Sequence, residues 1–400
     1  MSPPVTLPAA LPPAALQRAS WALLAGNFAI GCGVMVVPGS LNDLSASLQV
    51  PVAVAGQLIS LGGLCLAIGA PVLAGVLGRF DRRWLLTLTL AWYGIGHLLA
   101  ALMPGFASLL PVRLLGLMGA AIFTPQAAAA LGVMAPESER GRAITFIFLG
   151  WSLASVLGMP AHSYVAETLG WRWAFALVAV LSIAAAWGVW RALPGGVRPA
   201  PMSLRHWGAA LSNPLFMAMV AVTALSGAGQ FTLFSYFAPY YRQELGASAG
   251  SVSFLFLWFG AFGLLGNLLL SRSIDRWGAA RCVNFTLALM ALSLAAWPLA
   301  SSVTVMTLVL VPWALGCFAS NSAQQARLSG STGAFAPALL ALNTSAIYLG
   351  QAVGAGSGGV LLTAGGYPAL SWAALAWMAL AIAVSVWVGR RMRAAPSGHG

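Results

Sequence analysis

The 400 residues are 60% hydrophobic and 6% charged, with 19 basic and 7 acidic side chains. A soluble domain is about a quarter charged, so a surface bathed in water on all sides is excluded and most of the chain is expected to lie in lipid. The net charge of +12 raises nucleic acid as a partner; the placement of the basic residues, every one an arginine, decides against it below.

Residues 1–17, rich in Pro and Ala and without the basic start of a signal peptide, read as a short lead-in, and 1–19 as an N-terminal tail. Twelve runs of about 20 mostly apolar residues follow, each long enough to cross a bilayer; the short alternating strands of a membrane barrel are excluded. The first, 20–42, carries Asn27 and ends beside Asp43. The second, 52–77, leads into GRFDRR at 78–83, four charges in six positions. The third, 84–103, holds His97; the fourth, 107–134, holds Arg113 and Gln126; the fifth, 143–165, holds Gly158, Pro160 and His162; the sixth is 172–193. A linker, 194–212, precedes the seventh run, 213–241, with Gln230 and Tyr236. The eighth, 249–271, leads into a second charged turn with Asp275, Arg276 and Gly278. The ninth is 281–300, the tenth, 303–326, holds Asn321, and the eleventh, 336–362, holds Asn343, Tyr348 and Gln351. The twelfth, 368–389, is followed by a tail, 390–400.

With the N-terminus in the cytoplasm, 16 of the 19 arginines fall on that side, two (Arg172 and Arg242) on the other, and Arg113 inside a run. Cytoplasmic loops carry just such an excess of basic residues. The charge is therefore a topology signal, both termini are expected in the cytoplasm, and nucleic acid is excluded as a partner. The linker divides the chain into six-helix bundles at 20–193 and 213–389, and the two echo each other. GRFDRR at 78 answers DRWGAA at 275, FLGWSLASVLG at 148 answers YLGQAVGAGSG at 348, and GW at 170 answers GY at 366. Offsets near half the chain length are the mark of an internal repeat, as in transporters built from two parallel halves. The expected fold class is thus an all-α membrane protein of twelve transmembrane helices in two pseudo-symmetric bundles.

Six stretches in order carry a family resemblance: GAPVLAGVLGRFDRRWLL (69–86), RLLGLMGAAIFTPQAAAA (113–130), PESERGRA (136–143), LASVLGMPAHSYVAETLGWRWAF (153–175), GNLLLSRSIDRWG (266–278) and ALNTSAIYLGQAVGAGSGG (341–359). They resemble the major facilitator superfamily, and most of all its bacterial drug/proton antiporter group, which includes sugar-efflux and purine-efflux permeases. The resemblance implies secondary transport by alternating access, export against protons, and a gating role for the charged turns: Arg79, Asp81, Arg82 and Arg83, with Asp275, Arg276 and Gly278 as their counterparts. It also implies that Gly158 and Pro160 form the antiporter motif of helix 5. Two departures stand out: Gly78 where the first turn usually has an aspartate, and His162 where the helix 5 motif often has glycine. Apart from any resemblance, arginines at a membrane edge also serve topology and headgroup contact.

Buried charge is costly in lipid, so each ionisable group in or beside a span is a candidate for function. Asp43, His97, Arg113 and His162 lie toward the outer side of the first half by direction of travel, and are expected as one proton- or charge-coupling cluster; packing histidines, a solvated helix end and a snorkelling arginine are the competing roles. A central cavity, which the resemblance places between helices 1, 4, 7 and 10 with help from 5, 8 and 11, would be lined by Asn27, Gln126, Gln230, Tyr236, Asn321, Asn343, Tyr348 and Gln351. Amides in an apolar wall suit a neutral or weakly polar solute, and each also suits a helix–helix hydrogen bond. No catalytic constellation, phosphate-binding loop or metal spacing occurs, and Cys32, Cys65, Cys282 and Cys317 read as packing residues. The expectation is a monomeric exporter of the bacterial inner membrane, with a small molecule, protons and lipid as partners, no cofactor and no enzymatic activity. A proton-independent facilitator or importer stays open, as does a non-transporting receptor or scaffold.

Overall fold

In hydrocarbon a chain must satisfy its own backbone hydrogen bonds, which a helix does, and helices then approach wherever small residues allow. The computed structural model describes residues 11–77, 80–198, 204–332 and 335–394, and the regular elements among them are all helices. They are α1 Pro13–Leu48, α2 Val52–Ala55, α3 Gln57–Leu77, α4 Arg82–Ala101, α5 Phe106–Met134, α6 Arg140–Leu153, α7 Met159–Leu169, α8 Trp171–Ala192, α9 Leu204–Leu211, α10 Pro214–Phe234, α11 Phe237–Gln243, α12 Ala249–Trp277, α13 Ala279–Ala296, α14 Val303–Ser331 and α15 Ala336–Ala394. Eleven helical stretches are long and apolar enough to cross a membrane, and the last, Ala338–Arg393, has 56 residues. It breaks at Gly366, where φ is 65°, so the described residues hold the twelve expected spans.

The local breaks have local causes. α1 begins at Pro13, inside the expected tail, because a proline in the first helical turn gives up an amide that would have no partner. Between α6 and α7 the helix loosens into a π turn, Ala154–Gly158, just ahead of Pro160; the proline lacks an N–H and its ring crowds the carbonyl four residues back. Gly170, with φ of 102°, joins α7 to α8, as Gly366 joins the two halves of α15. Both angles are open to glycine and costly for other residues. The repeated Gly-aromatic pairs at 170 and 366 therefore mark the same joint in each half. Helices also outrun the apolar windows: α12 extends to Trp277 and α14 to Ser331, since a helix need not stop where lipid does.

The chain forms two compact units, residues 1–36 with 68–201, and 37–67 with 202–400. These are not the two sequence halves, because 37–67 joins the later residues. In the first unit α1, α4, α5, α6, α7 and α8 pack through small residues. A methyl group on Gly96 would meet the Gly116 Cα at 2.7 Å, and one on Gly150 the Leu24 carbonyl oxygen at 2.5 Å and the Phe28 nitrogen at 2.8 Å. In the second unit a methyl on Gly350 would meet the Ala224 oxygen at 2.5 Å and the Ala228 nitrogen at 2.9 Å. The partners of Gly350 are those of Gly150 moved by 200 positions, the offset of FLGWSLASVLG and YLGQAVGAGSG. Also in this unit Gly63 lies against the Tyr348 oxygen and the Ala352 nitrogen, each 2.9 Å from its would-be Cβ. The outward face of the spans is apolar, with Trp84, Trp187, Leu308 and Val360 among its exposed side chains.

Candidate functional site

A cation inside an apolar span needs partners or water. Arg113, on α5, is 4% exposed. Its Nη2 donates to the Gly33 oxygen of α1 at 2.9 Å, and its Nη1 lies 3.2 Å from His97 Nε2 on α4. The other ring nitrogen, His97 Nδ1, is 2.8 Å from the Tyr93 carbonyl oxygen. A carbonyl only accepts, so complementarity puts the ring proton on Nδ1 and leaves Nε2 to accept from Arg113. Tyr93 in turn donates its hydroxyl to the Ile30 oxygen at 2.9 Å, and the Phe175 ring of α8 lies 5.4 Å from the guanidinium carbon. The approach to α1 depends on Gly33, where a Cβ would strike Tyr93 Oη and would stand 2.7 Å from His97 Nε2. His162 on α7 is 1% exposed and neither ring nitrogen has a partner among the described residues.

This arrangement has a chemical consequence. A second proton on His97 can enter only at Nε2, where it would replace the acceptor with a donor facing Arg113. The hydrogen bond would then be lost and two cations would stand side by side. His97 and Arg113 thus form a pair whose geometry depends on one proton.

Amides tie the helices elsewhere. In the first unit Asn27 donates to the Ile147 oxygen at 3.0 Å and accepts from Thr124 at 2.8 Å, and Trp151 donates to the Thr124 hydroxyl at 3.4 Å. In the second, Thr223 donates to Asn343 Oδ1 at 2.5 Å, and Asn343 donates to Asn321 Oδ1 at 3.4 Å. Both bridges join the first, fourth and fifth spans of their half. The second lies one helical turn earlier on α10 and α15 than an offset of 200 would place it. Tyr236 donates to the Ala355 oxygen at 2.7 Å, and its hydroxyl would lie 2.5 Å from a methyl on Gly56.

The first charged turn is a tied structure. Asp81 caps α4 by accepting from the Arg83 amide at 3.0 Å and the Trp84 amide at 3.3 Å, and its other oxygen accepts from the Gly196 amide of the linker. Buried Arg82 donates to the Phe80 oxygen at 2.6 Å, and its amide to the Val197 oxygen at 3.0 Å. Arg83 donates to the Trp190 oxygen at 2.9 Å and lies 4.0 Å over the Trp190 ring. Asp275, Arg276 and Gly278 are exposed at the end of α12. Arg79 lies outside the described residues.

The family model described as the Major Facilitator Superfamily matches residues 23–334 and again 220–399. The chain belongs to the Major Facilitator Superfamily. The inner membrane transport protein YdhP of Escherichia coli K12 is 28% identical over 345 residues, covering 86% of this chain and 88% of its own. A chloramphenicol resistance protein of Streptomyces lividans is 29% identical over 252 residues, 62% of this chain and 64% of that one. Among solved structures, a bacterial homologue of the human lysosomal transporter Spinster, inward-facing and unoccupied, matches with a TM-score of 0.75 at 16% identity, over 96% of this chain and 99% of that one. That last likeness is one of fold.

As a member of the superfamily the protein is a multi-pass transporter and not an enzyme. Of the four groups expected as one cluster, His97, Arg113 and His162 lie in the first unit, and Asp43 lies in the second with 37–67. Asn27, Tyr236, Asn321 and Asn343 make the hydrogen bonds described above. Gln126, Tyr348 and Gln351 are buried, and Gln230 is half-buried. Gly158 sits against Cys32, whose sulfur a Cβ would meet at 2.5 Å, and Pro160 sets the π turn. The sequence reading missed Tyr93, Gly33 and Thr124. Tyr93 stands one helical turn before His97, and that spacing was the available signal; a carbonyl acceptor such as Gly33 leaves none.

Proposed function

We propose that this transporter exports a small organic solute from a bacterial cytoplasm by alternating access, drawing on inward proton flow. The observation that carries the coupling is the buried contact of Arg113 with His97 Nε2 at 3.2 Å, a pair that one proton would break. The rings of Tyr93 on α4 and Phe175 on α8 pack against His97, at 4.3 and 5.8 Å between centroids. Export is supported by the Gly158 and Pro160 motif and by the Streptomyces relative named for chloramphenicol resistance. In the second unit the solute meets Gln230, Tyr348 and Gln351, and in the first Gln126, side chains with amide or hydroxyl groups that no hydrogen bond described above engages. Both termini face the cytoplasm of the inner membrane, a reading the arginine distribution supports. Asp275 and Arg276 act as a gate at that face, and Asp81 with Arg82 holds the matching turn of the first unit. The protein works as a monomer, with lipid around it and no cofactor.

Expression in a host stripped of its own efflux pumps tests this. For at least one member of a panel of antibiotics, nucleosides and sugars, intracellular accumulation should fall several-fold. A C-terminal reporter active only in the cytoplasm should be active in the same cells. Accumulation that rises for the compounds affected would make the protein an importer, and a silent reporter would reverse its orientation.

A further inference from the structure

The end of the second unit holds a cationic cavity. It has a volume of about 420 Å³ and lies where α12 stops, α13 starts and both α14 and α15 end. Three arginines line it, Arg281 on α13, Arg327 on α14 and Arg393 on α15, and no Asp or Glu is among its lining residues. Like charges gathered around one cavity repel unless an anion lies between them.

Arg327 is the decisive member. It is 2% exposed, its Nη1 and Nη2 donate to Ser385 Oγ and O at 3.0 and 3.2 Å, and its Nε has no partner among the described residues. A buried guanidinium held in place with a donor left over is costly unless a ligand takes that donor. The other groups at the cavity are donors too. Asn284 turns its Oδ1 to the Ser385 hydroxyl at 2.5 Å, which leaves its amide N–H groups to donate. α13, 18 residues long, begins here behind Gly278 with no side chain capping its first amides, and the start of a helix favours an anion. Arg281 and Arg393 are exposed, so the cavity is open to the surface.

We infer that this cavity is a binding site for a phosphate group, with Arg327 as its buried floor and Arg281 and Arg393 as its clamp. Its place at the ends of four membrane helices, beside the exposed rings of Trp277 and Phe285, suits the headgroup of an anionic lipid, and a free phosphate offers the same chemistry. The inference goes beyond the transport reading and needs no knowledge of the solute.

Thermal unfolding of the purified full chain in neutral detergent tests it, titrated separately with phosphatidylglycerol, phosphatidylcholine, inorganic phosphate, and chloride at matched ionic strength. Phosphatidylglycerol should raise the midpoint more than phosphatidylcholine. In the double variant Arg281→Gln, Arg393→Gln the concentration giving half the shift should rise by about tenfold or more, as for loss of charge-assisted hydrogen bonds. The double variant Arg390→Gln, Arg391→Gln, an equal loss of charge outside the cavity, should behave as the parent. A shift with lipid alone assigns a headgroup, and one that inorganic phosphate reproduces assigns a free phosphate; both support the site. No shift with either, an equal shift with chloride, an unchanged titration in the cavity double variant, or an equal loss in Arg390→Gln, Arg391→Gln overturns it.

Discussion

Arg113→Ala is expected to abolish solute export while the protein still reaches the membrane in normal amount. The substitution removes two hydrogen bonds from a charged donor, to the Gly33 oxygen at 2.9 Å and to His97 Nε2 at 3.2 Å. Each acceptor left buried without a partner costs about 1–3 kcal/mol, and about 1.4 kcal/mol is tenfold in an equilibrium. A site whose working states differ by the Arg113–His97 contact then loses the difference between them, and initial export rates should fall by roughly 100-fold or more. Arg113→Lys keeps the charge and gives up the planar fork that reaches both acceptors, so it should retain a rate about tenfold below the parent. Rates in inverted vesicles, normalised to the protein present, measure both. Parental export by Arg113→Ala would reduce this arginine to a membrane anchor.

The second large effect concerns packing. Gly150→Ala and Gly350→Ala should each lower the unfolding midpoint by several degrees, because each methyl would stand 2.5 Å from a backbone carbonyl oxygen, that of Leu24 or of Ala224. Backbone cannot step aside as a side chain tip can, and overpacking of this kind costs about 1–3 kcal/mol. Gly188→Ala is the matched control. Nothing lies within 4 Å of its would-be Cβ, and alanine is the better helix former by about 1 kcal/mol, so that variant should be as stable as the parent or slightly more so. Similar losses at 150 and 350 would show that the two halves share one packing solution, whereas a loss at only one would confine it to that half.

Much of the fold was legible because lipid imposes a length. Twelve apolar windows predicted twelve spans, and the repeated Gly-aromatic pairs at 170 and 366 marked two joints that the backbone bears out with positive φ at both glycines. The FLG and YLG stretches predicted equivalent helices, and Gly150 and Gly350 meet equivalent backbone atoms. The linker did not show where the compact units divide: residues 37–67 pack with 202–400, through contacts such as Gly63 with Tyr348 and Ala352 that are made in three dimensions and leave no periodic trace. His97 and Arg113 could be found as ionisable groups in apolar runs, but the carbonyls of Gly33 and Tyr93 that orient them carry no side-chain signature. Arg327 shows a further limit. It stood among the arginines that set orientation, and only its burial, with Nε unpaired, distinguishes it from a residue of the membrane edge.

The proposed coupling of export to inward proton flow rests on one proton at the His97–Arg113 pair. The most direct test uses inverted vesicles and a compound whose accumulation the protein lowers in cells, with uptake measured with and without a protonophore for the parent and for His97→Gln. Glutamine can still accept from Arg113 but cannot take up the proton. The parent should concentrate the compound and lose that gradient when the protonophore is added, whereas His97→Gln should only equilibrate it, at a rate the protonophore leaves unchanged. Concentration by the parent that survives the protonophore, or protonophore-sensitive concentration by His97→Gln, would rule out coupling through this pair.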